Sequence, residues 1–370
     1  VTRSTDRPNL LGFVPEDLVA WLAAEGHPVD LPAARQILSR LVTAGLDDPT
    51  PTRRAVKKAV IEHLRARATW ERPVIDERVE DPDDGSVRYL FRGADGAVFE
   101  AVRISLHKPG KYTVCLSSQA GCAMGCAFCA TGRLGLRRNL TAAEIVGQFV
   151  AIRDEASATG RVSGAVFMGQ GEPLHNYDEV IRAARVLSNP AGGMIAQENI
   201  TISTVGLVSQ IRRYTAEGHD YKLIVSLTSA VPERRRELLP VAGKVPFEEL
   251  IAAIREHAAA LKARSKAESI GQRMTVAWVL LGGVNHGDDE VEALAERFAD
   301  LPVRVNVIDV NDARPDGYRR ATDDERRAFT QRLGAMGMPV VRRYSVGRNK
   351  HSACGMLAGK KLAELASEAS

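Results

Sequence analysis

From about residue 111 the chain alternates short apolar runs with amphipathic stretches, and it does so six times. The apolar runs are "YTVCLS" (112–117), "GAVFMG" (164–169), "NITIST" (199–204), "KLIVSL" (222–227), "MTVAWVLL" (274–281) and "VRVNVI" (303–308). Between them lie "TAAEIVGQFVAIRDEA" (141–156), "NYDEVIRAARVLS" (176–188), "VPFEELIAAIREHAAALKAR" (245–264) and "DDEVEALAERFAD" (288–300). Strands joined by helices of this length cannot pair as hairpins. They predict a parallel sheet with right-handed crossovers. A closed or partial barrel and a flat doubly wound sheet share this periodicity; the barrel is the reading adopted. "PVVRRYS" (339–345) adds a last strand, followed by a polar loop and a terminal helix.

The segments before 111 read differently. "PEDLVAWLAAEG" (15–26), "LPAARQILSRLVTAG" (31–45) and "TRRAVKKAVIEHLRARA" (52–68) carry helical spacing with start and stop signals. The third presents Arg53, Arg54, Lys57, Lys58, Arg65 and Arg67; alone, that is a solvated surface face. "EDPDDGS" (80–86) reads as a linker. "VRYLFRGADGAVFEAVRISL" (87–106) alternates around an Asp-Gly turn, as a hairpin does. The expected division is 1–85 helical domain with linker, 86–110 hairpin, 111–345 core, and 346–370 C-terminal loop and helix. No apolar run is long enough to span a bilayer, and no secretory leader opens the sequence, so a cytoplasmic protein is expected.

In that reducing setting, clustered cysteines suggest metal or catalysis more than disulfides. Three of the five cysteines fall in "GCAMGCAFCATG" (121–132), as Cys122, Cys126 and Cys129. They follow the first strand of the alternating region, where parallel α/β folds place their chemistry. Structural zinc takes four ligands, and no second cysteine pair is present. An iron–sulfur cubane suits three thiolates: one iron stays open to bind and activate a small molecule. A metal-free loop and a partial zinc site are the plainer alternatives.

The spacing C-x3-C-x2-C after a first strand resembles that of radical S-adenosylmethionine enzymes. The wider pattern resembles the RlmN/Cfr family of RNA adenine methyltransferases. Its motifs are "CLSSQAGCAMGCAFCATG" (115–132), "NLTAAEIVGQ" (139–148), "GQGEPLHN" (169–176), "TISTVG" (201–206) and "SACGMLAG" (352–359). The resemblance implies a partial (β/α)6 radical-SAM barrel with an N-terminal helical accessory domain and a connecting β-hairpin. It implies a [4Fe-4S] cluster on Cys122, Cys126 and Cys129, whose open iron chelates S-adenosylmethionine. Gly171 and Glu172 match contacts to the methionine end, Ser203 a cofactor serine, and Asn311 an asparagine on the adenosine portion. Ser226, Leu227 and Thr228 stand where the family usually has Ser-Leu-His. The loop "IDVNDARPDG" (308–317) also departs from the family pattern.

The two remaining cysteines match a methyl carrier, Cys354, and a resolving thiol, Cys115. Singly, each reads as a small buried hydrophobe. Arg348, Lys350 and His351 near Cys354 favour its thiolate. By resemblance, Cys354 takes a methyl from one S-adenosylmethionine, and a radical from a second activates it to add to an electron-poor adenine carbon. Glu100 matches the base that removes the ring proton; a surface strand carboxylate is the plainer reading. Cys115 then releases the product, leaving a Cys115–Cys354 disulfide to be reduced.

The implied activity is adenine C2 methylation of large-subunit rRNA, tRNA or both, with C8 methylation as the alternative. The implied partners are RNA and an electron donor such as flavodoxin; a monomer is expected. Arg137 and Arg138, Arg234, Arg235 and Arg236, and Arg342 and Arg343 flank the site loops and are expected to contact phosphate. With them in view, the basic helix 52–68 becomes an RNA-docking element. Two rival readings remain: a radical enzyme acting on a peptide or small molecule, and a non-catalytic RNA-binding protein with a structural metal.

Overall fold

The computed structural model describes residues 7–53, 56–241, 244–264, 274–298, 300–301, 303–311, 317–343 and Met356. Three N-terminal helices come first: α1 (Pro15–Ala24), α2 (Leu31–Leu38) and α3 (Lys58–Arg67). The antiparallel strands β1 (Val74–Glu80), β2 (Val87–Arg92) and β3 (Val98–Ser105) follow, and then β4 (Lys111–Cys115). A small hairpin, β5 (Gln119–Gly121) and β6 (Leu136–Asn139), brackets the short helix α4 (Ala130–Arg133). The alternating region then runs α5 (Ala142–Ala156), β7 (Arg161–Phe167), α6 (Tyr177–Ser188), β8 (Ile200–Thr204), α7 (Val208–Glu217) and β9 (Lys222–Ser226). It continues with α8 (Pro232–Leu238), α9 (Phe247–Arg264), β10 (Thr275–Leu280), α10 (Asp288–Phe298), β11 (Arg304–Asp309), α11 (Asp323–Ala335) and β12 (Val340–Arg343).

Ten strands form one sheet in the order β1-β2-β3-β4-β7-β8-β9-β10-β11-β12. Within this sheet, from β4 onward every described pairing is parallel, and each new strand is laid beside the sheet's previous one. The order never reverses, so there is no switch point of the doubly wound kind. With no pairing between its two ends among the described residues, the sheet is a partial barrel, extended at one edge by the hairpin. β1, which the sequence reading placed inside the helical domain and its linker, pairs with β2 and forms that edge.

Local signals set the helix boundaries. Thr141 and Glu144 form a reciprocal cap on α5, and Thr322 and Glu325 do the same on α11. Gly218, at φ 73°, ends α7 in a left-handed turn. The third N-terminal helix starts only at Lys58, so Arg53 and Lys57 precede it; Arg54 lies outside the described residues. Leu10, Leu11, Leu18 and Leu22 are buried in the same apolar cluster as Ile145, Val146 and Phe149 of α5. Among the described residues, no helix is long and apolar enough to cross a membrane.

The register fixes what faces inward. Ser226, Ala277 and Asn306 lie side by side across β9, β10 and β11, with Val279 and Ile308 one step further along. On the hairpin side Val102 stands opposite Cys115, and Cys115 beside Val166. Side chains two apart share a face. Glu100, Val102, Cys115, Val166 and Met168 therefore line one continuous inner wall.

Candidate active site

The inner wall ends in a cavity at the carboxyl ends of the strands, with an empty volume of about 1100 Å³ counting its open mouth. Cys122, Cys126, Cys129, Gly171, Glu172, Ser203, Ser226 and Asn311 all border it. Eight residues spread over nearly 190 positions of sequence thus share one space.

The cysteine loop is held from three sides. Cys122 N–H donates to Gly135 O (2.9 Å), closing the β5–β6 hairpin. Cys129 N–H donates to Cys126 O (3.0 Å), and Ala127 N–H to Leu238 O of α8 (3.0 Å). Cys122 and Cys126 are buried against Leu238 and Leu239. Burial pushes the Cys122 thiol up to about 12 and raises Cys126 well above the ordinary thiol range, helped by the neighbouring sulfurs and Glu172. A bound cationic centre reverses that preference, because it takes thiolate and expels the proton. Among the described residues, no three His, Cys, Asp or Glu side chains converge on a single-ion site. The three thiols border one cavity, so together they could hold a cluster that spreads its ligands over several irons.

Glu172 and Asp309 are both buried carboxyls bordering this cavity; Asp309 is ion-paired to Arg320, Arg326 and Arg342, and Glu172 has no arginine partner among the described residues. Glu172 accepts from Leu174 N–H (3.0 Å) and Val205 N–H (2.8 Å), and its own N–H donates to Gln119 Oε1 (2.8 Å). Burial outweighs those bonds and pushes its pKa up to about 7. A cationic ligand group at this wall would offset the burial. Gly171 has φ 99°, and a Cβ there would lie 2.6 Å from the Gln119 side chain, so glycine is required for this close approach.

The other expected residues fall in different places. Leu227 and Thr228 do not border the cavity: Leu227 is in the apolar core, and Thr228 is wholly buried. Thr228 has φ 59°, and its hydroxyl has no hydrogen-bond partner among the described residues. Cys354 and residues 312–316 of the departing loop lie outside the described residues. Glu100 is not a surface carboxylate. It is buried, ion-paired to Arg88, and accepts from Gln170 Nε2 (3.2 Å).

The phosphate-contact expectation needs correcting for most of the arginines. Arg138 pairs with Asp95 (2.5 Å) and Glu144 (2.7 Å), Arg234 with Asp289 (2.8 Å) and Glu290 (2.6 Å), and Arg342 with Asp309 (3.3 Å). Arg235 is inside the protein. Their charge is engaged by carboxylates and carbonyls of the protein itself, whereas Arg137 stays exposed and, among the described residues, Arg236 meets an exposed Glu233 at 3.9 Å. In the N-terminal helices, Lys58 pairs with Glu62 (3.3 Å), Arg65 with Asp48 (3.0 Å) and Arg67 with Glu25 (3.8 Å). Sequence reasoning also missed Gln119 and Met168. The inward register of β7 points to Met168; nothing local marks Gln119.

Partial barrel, thiol trio and strand-end cavity define a radical S-adenosylmethionine enzyme, and the Radical SAM superfamily model matches residues 116–297. A probable RNA methyltransferase of Anaeromyxobacter sp. (strain Fw109-5) is 47% identical over 90% of this chain and 94% of its own length. A probable dual-specificity RNA methyltransferase RlmN of Heliobacterium modesticaldum is 35% identical over 96% and 91%. The crystal structure of a radical SAM methyltransferase from Sphaerobacter thermophilus superposes with a TM-score of 0.83 at 35% identity, covering 95% of this chain and 99% of that one. The chain belongs to the radical S-adenosylmethionine RNA methyltransferases of the RlmN/Cfr family, and it is a methyltransferase.

Proposed function

We propose that this enzyme methylates C2 of adenine in large-subunit rRNA, tRNA or both, through a methyl group carried on Cys354. The position of Cys115 carries the reading. It is a cysteine outside the cluster trio, buried at the end of β4, and it shares the inner wall with Met168, which borders the cavity. A structural role would not require a thiol at that point.

Adenine C2 is electron-poor and cannot attack a methylsulfonium, so the carbon must arrive as a radical. A [4Fe-4S] cluster on Cys122, Cys126 and Cys129, with S-adenosylmethionine on its open iron, supplies the 5′-deoxyadenosyl radical for that purpose. Glu172 accepts from the amino group of the methionine end, while Ser203, Ser226 and Asn311 line the wall beside it. Cys354 presents the methyl carbon; the radical adduct it forms with the ring gives up one electron to the redox partner, and Glu100 takes the ring proton. Cys115 attacks the Cys354 sulfur, which frees the product and leaves a disulfide for an external thiol to reduce. The electron donor is a small redox protein such as flavodoxin, and the enzyme works in the cytoplasm as a monomer. The N-terminal helices, with Arg53 and Lys57 exposed ahead of α3, dock the RNA. The "dual-specificity" name of the Heliobacterium relative supports more than one substrate.

Nucleoside mass spectrometry of rRNA and tRNA, from cells with and without this gene, tests the reading. Loss of 2-methyladenosine is expected. Loss of 8-methyladenosine would move the reaction to the other carbon, and unchanged RNA would refute it. In vitro, Cys115→Ala should accumulate a covalent protein–RNA adduct; an active variant without one removes the resolving role.

A further inference from the structure

Helix α8, in "PERRREL", carries three arginines in a row, and they have different fates. Arg234 is tied to Asp289 and Glu290, and Arg236 stays exposed. Arg235 is only 2% exposed. Its guanidinium donates to the main-chain carbonyls of Val205 (2.6 Å), Ser226 (3.1 Å) and Leu227, where β8 and β9 end. These acceptors are neutral, and no carboxylate pairs with Arg235 among the described residues. Neutral carbonyls repay only part of the cost of taking a guanidinium out of water. A buried cation left without an anion is strongly unfavourable.

The missing anion has one obvious source. Val205 and Ser226, whose carbonyls hold Arg235, both border the cavity, so the guanidinium lies directly behind the wall. The same helix carries Leu238, whose carbonyl accepts from Ala127 N–H in the cysteine loop and whose side chain packs with Cys122 and Cys126. Three thiolates on a cubane of two positive charges leave one net negative charge, and two after one-electron reduction. A fixed buried cation favours the more negative state, because its field is little screened there.

We propose that Arg235 is the buried counter-charge of the thiolate-bound cluster and makes its reduction easier. This rests on the cluster reading above, and the experiment separates the two. Wild type, Arg235→Gln and Arg235→Lys are reconstituted anaerobically as full chains. Iron per chain, thermal unfolding and a reductive titration followed by electron paramagnetic resonance are then measured.

Arg235→Gln should lower the reduced-to-oxidised ratio at fixed potential about tenfold, or about 59 mV for one electron. Arg235→Lys keeps the charge but not the three-carbonyl fork; it should melt earlier yet stay within about threefold of wild type in that ratio. A loaded Gln variant titrating with the wild type overturns the assignment and leaves a purely structural clamp. If the Gln variant loads no iron, the Lys variant decides: a tenfold loss overturns the proposal, and a ratio within threefold supports it. A wild type that forms no four-iron cluster instead sinks the cluster reading itself.

Discussion

Arg88 on β2 reaches diagonally across the ladder to Glu100 on β3, and the two form a buried ion pair on the inner wall. Ser117 ties the end of β4 to the same place: its hydroxyl donates to Glu100 O and accepts from Gln170 N–H (2.8 Å). The pair therefore fixes the carboxylate on the face that carries Cys115. Removing one partner of such a pair strands the other charge in a dry site. Arg88→Met should cost about 3–5 kcal/mol in urea unfolding. The double variant Arg88→Met/Glu100→Leu should regain most of that, since no charge is then left buried. Equal losses in single and double variants would mean the pair matters through packing alone.

Glu172 gives the metal-free protein a pH-dependent stability. Its pKa rises from an ordinary 4.5 to about 7 on folding. Between those values the folded state holds a proton that the unfolded chain has lost. Stability from this group is therefore full below pH 4.5 and lost as pH rises through about 7. The total is about 3 kcal/mol, at 1.36 kcal/mol per pH unit. Glu172→Gln has no proton to lose. Its stability relative to wild type should rise by about that amount between pH 4.5 and 8, read from denaturant midpoints. Parallel curves for the two proteins would contradict the assignment.

Gly121 closes the hairpin that carries Cys122. It has φ 78°, and a Cβ there would lie 2.0 Å from Gly135 O. Gly121→Ala forces the hairpin apart as well as straining the backbone, and should cost about 2 kcal/mol or more. Because Cys122 N–H bonds to the same carbonyl, the variant should also retain less iron than wild type after reconstitution. Gly125, at φ 64° with open space around its Cβ position, is the control: Gly125→Ala should cost only the backbone strain.

The sequence made the barrel legible because each strand pairs with its sequence neighbour, so order along the chain is order in space. Five of the cavity residues sit at strand ends or in the cysteine loop: spacing marks the cysteines, and the family resemblance picks out Ser203 and Ser226. β1 was missed because "VIDERVE" is an edge strand with five of its seven residues exposed, and it lacks the alternation that marks a half-buried one. The arginines misled for a related reason. Asp95, Glu290 and Asp309 neutralise Arg138, Arg234 and Arg342 from 33 to 56 positions away, and no local window contains both partners. Leu227 and Thr228 follow the strand end but are buried away from the cavity lining, and Thr228 has φ 59°, a turn in the backbone that composition does not encode.

The central claim is that Cys122, Cys126 and Cys129 hold a four-iron cluster with one iron left open for S-adenosylmethionine. Mössbauer spectroscopy tests it most directly, on protein reconstituted anaerobically with the Mössbauer-active iron isotope and measured before and after S-adenosylmethionine is added. The account predicts that one iron in four changes its isomer shift on addition while the other three stay alike. Four irons that ignore S-adenosylmethionine, or a preparation that retains zinc and no cluster, would contradict it.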